Sequence, residues 1–405
     1  MYCNNLLPKV RCMRQVIIYS IFLFLLSTQA TPFPYRAFCH APVADLFTFI
    51  PTNTDIGKPW DVKKLPSPYP RASQLLYNEN VVVTEKRNNY THVTISHWFY
   101  TPTNKTARIT NYWVPSETLT PIDNLDKKSQ SYLPEPISFK VSQLYYENVV
   151  TLTYPYTYKG ITYSAGTRFV KDFDQKEKDA ISVKIYYTST QKFTTVPIPS
   201  SYLQDKKLTT DESKRTLFLS LIESWTESDA GCFPYVLGGA SITARHAHDE
   251  KITTQPVTVD GMHKLFYYRP LYTHTLPMGI DCSHIIARAA HIAQIPIFAR
   301  NTTTFVKTCA PISRDYTLKN GDLIIWKGHC CIIADIDNNL AIEARGYASG
   351  YGKIQKIPLR SLFKNVRTYR ELLKKYYRHQ PLLRIDKDGK VIQQIDTFLI
   401  APLIT

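Results

Sequence analysis

The sequence predicts an α+β protein: two small all-β units in the first half, then a domain in which helices precede an antiparallel sheet. Three observations carry this. From residue 39 to 198 the chain reads as short β-branched runs broken by turn residues. Helical spacing takes over after Asp211, where Leu217, Leu221 and Trp225 share a face. Strand-like runs return at Asp322–Trp326, Cys331–Asp335 and Leu340–Ala344, the last two joined by the turn Asp337-Asn338-Asn339. With 405 residues, 44% of them hydrophobic and 20% charged, the chain can bury real cores, which excludes global disorder. Collagen, coiled coil and a multispan membrane protein are excluded by the lack of a suitable repeat and by a single long apolar run.

That run opens the chain. Lys9, Arg11 and Arg14 precede the apolar stretch Val16 to Leu26, and Ser27-Thr28-Gln29-Ala30 ends on a small residue. This is the order of a secretory signal, 1–30, cleaved after Ala30. Its apolar part is short of the ~20 residues that span a bilayer, so no stable span remains after cleavage; an uncleaved anchor is the alternative. The net charge is +16, and removing the leader leaves 46 basic against 33 acidic residues. Such a balance suits an anionic partner. Nucleic acid, anionic lipid and cell-wall polymer all fit it; in an exported chain, periplasmic or secreted, the basicity is better matched to an anionic envelope such as a cell-wall polymer than to nucleic acid. Six cysteines remain, at 39, 232, 282, 309, 330 and 331, too sparse for a disulfide scaffold.

The first β-unit, 31–120, has a turn feeding a β-branched run at Ser73 to Val83, with further runs at Tyr90–Ile95 and Ile109–Val114. Pro115 to Pro136 reads as a linker. Val141-Ser142-Gln143-Leu144-Tyr145-Tyr146-Glu147-Asn148-Val149-Val150 then echoes Ser73 to Val82, which suggests that the second unit, 121–205, is of related type. The final domain, 206–405, starts with a helix near Glu212–Glu227. Tyr235-Val236-Leu237-Gly238-Gly239 follows, then a long irregular insertion to Pro277 and a second helix at Ser283–Ala293. The basic stretch Lys364 to Arg378 reads as a solvated helix face.

The chemistry concentrates at Gly279-Ile280-Asp281-Cys282-Ser283, immediately before the second helix. A cysteine at a helix N-terminus feels the positive end of the dipole and nearby N–H groups, and both favour the nucleophilic thiolate. His329, opening a strand after Gly328, supplies a general base. Glu343, 14 residues on and across a tight turn, can face that imidazole and orient it. Asp281 and Ser283 fit the cap of that helix.

Together these residues resemble the NlpC/P60 cysteine peptidases: Tyr235-x-x-Gly238-Gly239, Asp281-Cys282-Ser283, Asn320-Gly321-Asp322-Leu323, Gly328-His329 and Ile342-Glu343-Ala344 follow that family's order and spacing over roughly 225–360. The N-terminal units are similar to the bacterial SH3 domains of one branch, through Ala41 to Leu46 with Ser73 to Leu76, and through Tyr163 to Val170. The resemblance implies a papain-like catalytic domain behind two SH3-like barrels, and hydrolysis of the γ-D-glutamyl-diamino acid bond of peptidoglycan-derived peptides. It implies Cys282 as nucleophile, His329 as base and Glu343 as the orienting residue. In the SH3-bearing branch Asp281 and Ser283 match positions that recognise a free N-terminal L-Ala, and a tyrosine of the first SH3-like unit completes that amine site; Tyr112 is the candidate here. Tyr235 is a substrate-side candidate; with Gly238 and Gly239 it also reads as structural, the glycines permitting close backbone approach to the site. No cofactor and no metal is implied.

The chain departs from the family pattern at His284, where glycine is usual, at Leu237, where tryptophan is usual, and at Glu343, where histidine is commoner. Cys330 and Cys331 follow the base where small or apolar residues are usual; they read as core fillers, with a disulfide to Cys309 or Cys232 as the alternative. His246-x-His248-Asp249 has metal-like character without a complete ligand set. Two rival functions stand beside the peptidase: a non-catalytic wall-binding protein on the same scaffold, and a Cys/His acyltransferase or amidase.

Overall fold

A computed structural model describes residues 33–51, 71–102, 105–176, 178–245, 278–346, 349 and 351–404, together with the strand pairing of 254–259 and 262–267. The expected signal and the His246-x-His248-Asp249 motif lie outside the described residues. None of the described helices is long and apolar enough to cross a membrane.

The first sheet takes seven strands: β1 (Tyr35–Cys39), β2 (Val43–Phe47), β3 (Arg71–Leu76), β4 (Asn80–Arg87), β5 (Tyr90–Thr94), β6 (Asn111–Pro115) and β7 (Leu119–Pro121). Their order is β3-β2-β6-β5-β4-β1-β7. Alternation decides what is inside. Val81 and Val83 of β4, Val93 of β5, and Tyr112 and Val114 of β6 are buried together with Trp98. The stretch expected as a linker from Pro115 is partly sheet, since β7 pairs with β1 (Ala37↔Pro121, Cys39↔Leu119) before a short helix, α1 (Lys127–Gln130).

The second unit contains β8 (Val149–Leu152), β9 (Tyr156–Tyr158), β10 (Ile161–Tyr163), β11 (Arg168–Lys176), β12 (Ala180–Tyr187), β13 (Lys192–Pro199) and β14 (Leu203–Gln204). Five of them form a sheet of order β13-β12-β11-β8-β14, and β9 and β10 form a separate ribbon. The sequence echo is structural only at its end: Asn80-Val81-Val82 and Val149-Val150 both enter strands, but Ser73–Leu76 is strand β3 whereas Ser142–Leu144 is turn and bridge. The two units share a core, because Phe38 of β1 and Tyr77 pack among Val150, Phe169 and Ile185.

The last domain begins with α2 (Asp211–Trp225), capped by Thr210 and Ser213. The insertion expected to be irregular holds a hairpin, β15 (Thr254–Val259) with β16 (Met262–Tyr267). The signal for it is Asp260-Gly261 between two strand-like runs, a pair favoured in two-residue turns. After α3 (Cys282–Ile292) and α4 (Thr302–Thr308) comes the third sheet: β17 (Leu323–Trp326), β18 (His329–Asp335), β19 (Leu340–Arg345), β20 (Lys353–Pro358) and, beyond α5 (Leu359–Leu362), α6 (Tyr369–Tyr377) and the hairpin β21 (Leu382–Ile385)–β22 (Val391–Ile395), strand β23 (Leu399–Ala401). Its order is β20-β19-β18-β17-β23, antiparallel throughout.

Both faces of this sheet are covered. Leu323, Ile325, Cys330, Ile332 and Ala334 pack on α2 and α3, while Ile324, Trp326, Cys331 and Ile333 pack on α5, α6 and the β21–β22 hairpin. Asp322, fully buried, pins the arrangement: Arg215 of α2 pairs with it at 2.9 Å and the Leu403 backbone N–H donates to it at 3.2 Å. The fold is therefore mixed α+β, with the expected helices and strands of the last domain in place.

Candidate active site

The approach to Cys282 is built from glycines. Val236 N–H donates to the Ile280 carbonyl at 3.2 Å, and Asp281 N–H to the Gly239 carbonyl at 3.0 Å. A side chain at Gly239 would sit 2.3 Å from the Gly279 oxygen, and one at Gly279 would sit 2.7 Å from the Pro234 oxygen. Only glycine allows the two segments to lie this close. Asp281 then caps α3: its Oδ1 accepts from Ser283 N–H (2.9 Å), His284 N–H (2.8 Å) and the Ser283 hydroxyl (2.8 Å). Burial alone would raise the Asp281 pKa, but the facing His284 imidazole and these hydrogen bonds hold it below the usual carboxylate range.

Cys282 is the first residue of the helix and 6% exposed. The Cys330 thiol lies against it, donating to the Cys282 carbonyl at 3.0 Å. The His329 imidazole also acts on the sulfur, its charge favouring the thiolate. The Cys330 contact and the His329 imidazole outweigh burial and the Asp281 charge, and bring the Cys282 thiol down to about 5. Cys330 moves the opposite way, pushed well up by burial and by its bond to Cys282. A thiol lowered in this way favours the thiolate, the form in which a cysteine is reactive.

His329 opens β18 after Gly328, whose φ of 92° makes the turn. Its Nε2 meets Glu343 Oε2 at 2.7 Å, which leaves Nδ1 for the cysteine. Glu343 is completely buried. Its Oε1 accepts from Gln355 Nε2 at 3.0 Å and faces Arg345 Nη1 at 3.4 Å, and its Oε2 lies 3.5 Å from Arg384 Nη2. Burial works to raise its pKa, but the hydrogen bond and charge of His329, then Arg345 and Arg384, hold it at about 2.

The structure thus brings Cys282, His329 and Glu343 into one cluster, with Asp281 and Ser283 beside it. Tyr235 joins them. Its ring covers Gly346, 3.3 Å from where a side chain there would begin, and burial together with the Cys282 and Asp281 charges lifts its phenol well above the ordinary range. Tyr112 does not join. On β6 it points into the first sheet's core, 1% exposed, while its neighbour Trp113 points out. Its hydroxyl donates to the Ile109 carbonyl at 3.5 Å, and the Arg300 guanidinium stands over its ring; the Ser283 hydroxyl donates to the Arg300 carbonyl. Sequence reasoning missed Arg345, Gln355 and Arg384. Glu343-x-Arg345 on one strand face was the only legible hint. The six described cysteines are all free thiols, and among the described residues no three His, Cys, Asp or Glu side chains converge as a metal site.

No family model matches the chain, and no curated protein matches it. A solved structure does: an NlpC/P60 family protein from Bacillus cereus ATCC 10987 aligns with a TM-score of 0.50 at 15% identity, over 83% of this chain and 96% of that one. The chain has the fold of an NlpC/P60 protein. The likeness extends well beyond the last domain, since 83% coverage includes residues from the N-terminal half. At 15% identity it speaks for the fold; the chemistry rests on the side chains described above.

Proposed function

We propose that the protein is an exported NlpC/P60-type cysteine peptidase that hydrolyses the γ-D-glutamyl-diamino acid bond of peptidoglycan stem peptides. The observation that carries this is the buried Cys282–His329–Glu343 relay, with a 2.7 Å bond from imidazole to carboxylate and a thiol held near 5. In this reading the Cys282 thiolate attacks the scissile carbonyl and His329 protonates the leaving amine. Glu343 keeps the proton on Nε2, so that Nδ1 faces the chemistry. The Ser283 and His284 N–H groups are committed to Asp281, so the Cys282 N–H is the first-turn donor for the oxyanion.

Selection of a free N-terminal L-Ala is part of the proposal. The hydrogen bonds to Asp281 fall on Oδ1 among the described residues, and Oδ2 is the acceptor offered to an ammonium group. The first two β-units act as SH3-like walls of the cleft, and the charge of +13 left after the leader, 46 basic against 33 acidic residues, favours residence near an anionic wall polymer.

The test is mass spectrometry of residues 31–405 incubated with L-Ala-γ-D-Glu-meso-diaminopimelate and with its N-acetylated twin. Release of L-Ala-D-Glu from the free peptide alone is expected, and Cys282→Ala should abolish it. Cleavage of both peptides would discard the amine gate. Cleavage of neither, by folded and reduced protein, would discard stem peptides as the substrate and favour another substrate or a wall-binding scaffold.

A further inference from the structure

We propose that Arg345 and Arg384, with Gln355, are positioning residues: they hold the Glu343 carboxylate as an acceptor aimed at His329 Nε2, and through it fix the imidazole that faces Cys282. The inference rests on reading Cys282 and His329 as nucleophile and base.

The argument begins with burial. An ionised carboxylate with no exposure is strongly unfavourable unless each oxygen is paired. His329 satisfies one side of Glu343 Oε2 only. Gln355 (3.0 Å) and Arg345 (3.4 Å) take Oε1, and Arg384 (3.5 Å) takes the rest of Oε2. Both arginines are themselves anchored. Arg345 donates to the Ile385 carbonyl and lies over the Tyr351 ring, 4.6 Å from its centroid. Arg384 comes from β21, 41 residues beyond Glu343, and stacks 5.1 Å from the Trp326 centroid; Trp326 in turn packs 5.1 Å from the His329 ring. A guanidinium keeps its charge in such surroundings.

The tautomer gives the clamp its consequence. An ionised Glu343 can only accept, so Nε2 carries the proton and Nδ1 is free to take one from the thiol. A protonated Glu343 would donate to Nε2 and place the hydrogen on Nδ1, against the cysteine. A carboxylate in place of the commoner histidine therefore needs cations behind it, and these are the two the fold supplies.

Alkylation of Cys282 by iodoacetamide, followed against pH by mass spectrometry of its peptide, tests this without any peptidase substrate. In the wild type Cys282 should react fastest of the cysteines. In R384Q, checked for folding by circular dichroism, the midpoint of its alkylation should move up by about one pH unit, a fall of about twofold at pH 6 and about ninefold at pH 4. R384K, which keeps the charge, should recover most of this. In an E343Q background R384Q should add nothing. A wild-type profile in folded R384Q overturns the proposal, and so does a slowdown that persists with E343Q, which would mean that Arg384 acts on the thiolate directly. Should R384Q fail to fold, Gln355→Leu, alone and with E343Q, makes the same prediction with a smaller shift. A wild-type Cys282 no more reactive than Cys309 overturns the nucleophile assignment and the clamp with it, whereas a reactive, Arg384-sensitive Cys282 that cleaves no stem peptide leaves the clamp standing and discards only the substrate.

Discussion

Helix α3 is buried on every side, and its two faces are held in different ways. Toward the third sheet it presents Ile285, Ile286, Ala289 and Ile292, an apolar surface packed among Ile325, Ile332 and Ile342. Toward the first sheet it presents His284, Ala287, Arg288 and His291, a stripe at helical spacing that is mostly polar. His284 Nε2 meets the Ser73 hydroxyl at 2.8 Å, Arg288 pairs with Glu79 and donates to the Ala240 and Gln74 carbonyls, and His291 stacks on Trp98 with 4.5 Å between centroids. The apolar face gives the helix its attachment, since burial is strong and undirected. The polar face gives it a register, since those bonds form in one placement only. Cys282 sits at the end where the two meet, so its position depends on both sheets.

The largest expected effect separates the faces. Arg288→Leu keeps bulk but leaves the half-buried Glu79 carboxylate with His97 and the Leu76 N–H and no permanent cation, and should destabilise by about 3–5 kcal/mol. Ile286→Ala, on the apolar face, should lose about 2–5 kcal/mol. Acid distinguishes them. Although burial raises the Glu79 pKa, Arg288 and His97 hold it well below the usual value. A depressed carboxylate contributes stability above its unfolded value, near 4.3, and loses it as pH falls toward the folded one. Urea unfolding at pH 7 and pH 3 should therefore show Arg288→Leu closer to wild type at the lower pH, with the Ile286→Ala deficit unchanged. An Arg288 deficit independent of pH would mean that the stripe acts by packing, as the other face does.

A smaller effect belongs to Ser73. Ser73→Ala should cost about 1–3 kcal/mol, because it strips Nε2 of a histidine that is 1% exposed. If the polar face sets register, this variant should also slow Cys282 alkylation, although Ser73 lies 209 positions away in the chain. Loss of stability with unchanged alkylation would limit the stripe to stability.

The apolar face was legible in the sequence and the polar one was not. Ile285, Ile286, Ala289 and Ile292 repeat at helical spacing, and Gly-Ile-Asp-Cys-Ser announces both the cap and the cysteine. His284 reads as a departure from a family pattern until Ser73 is placed opposite it. The β17–β19 strands, the tight turn and the His329–Glu343 approach follow from local pattern, because a hairpin brings residues 14 apart together. Arg384 and Ser73 reach the site from other elements, and no periodicity connects them to it. Tyr112 was expected at the surface of the amine site; whether a strand residue faces in or out is settled by one step of register, which a single sequence does not fix.

Cys330 sharpens the comparison at its smallest scale, for it belongs to the apolar surface beneath α3 yet makes a directed contact. Its neighbour Cys331 faces the opposite core, as alternation requires. If Cys330 were only a filler, Cys330→Ala would leave a small cavity and an unchanged thiolate. The thiol donates to the Cys282 carbonyl and is the foremost influence lowering the Cys282 thiol to about 5. Turned from the carbonyl onto the ionised sulfur, that S–H is a hydrogen bond to a charged group, and removing it should move the midpoint of Cys282 alkylation upward by about one pH unit. Cys330→Ser, whose hydroxyl can donate in the same place, should restore the midpoint. An alanine variant with the wild-type midpoint would assign the low value to His329 and the helix terminus alone, and would return Cys330 to the apolar face as packing.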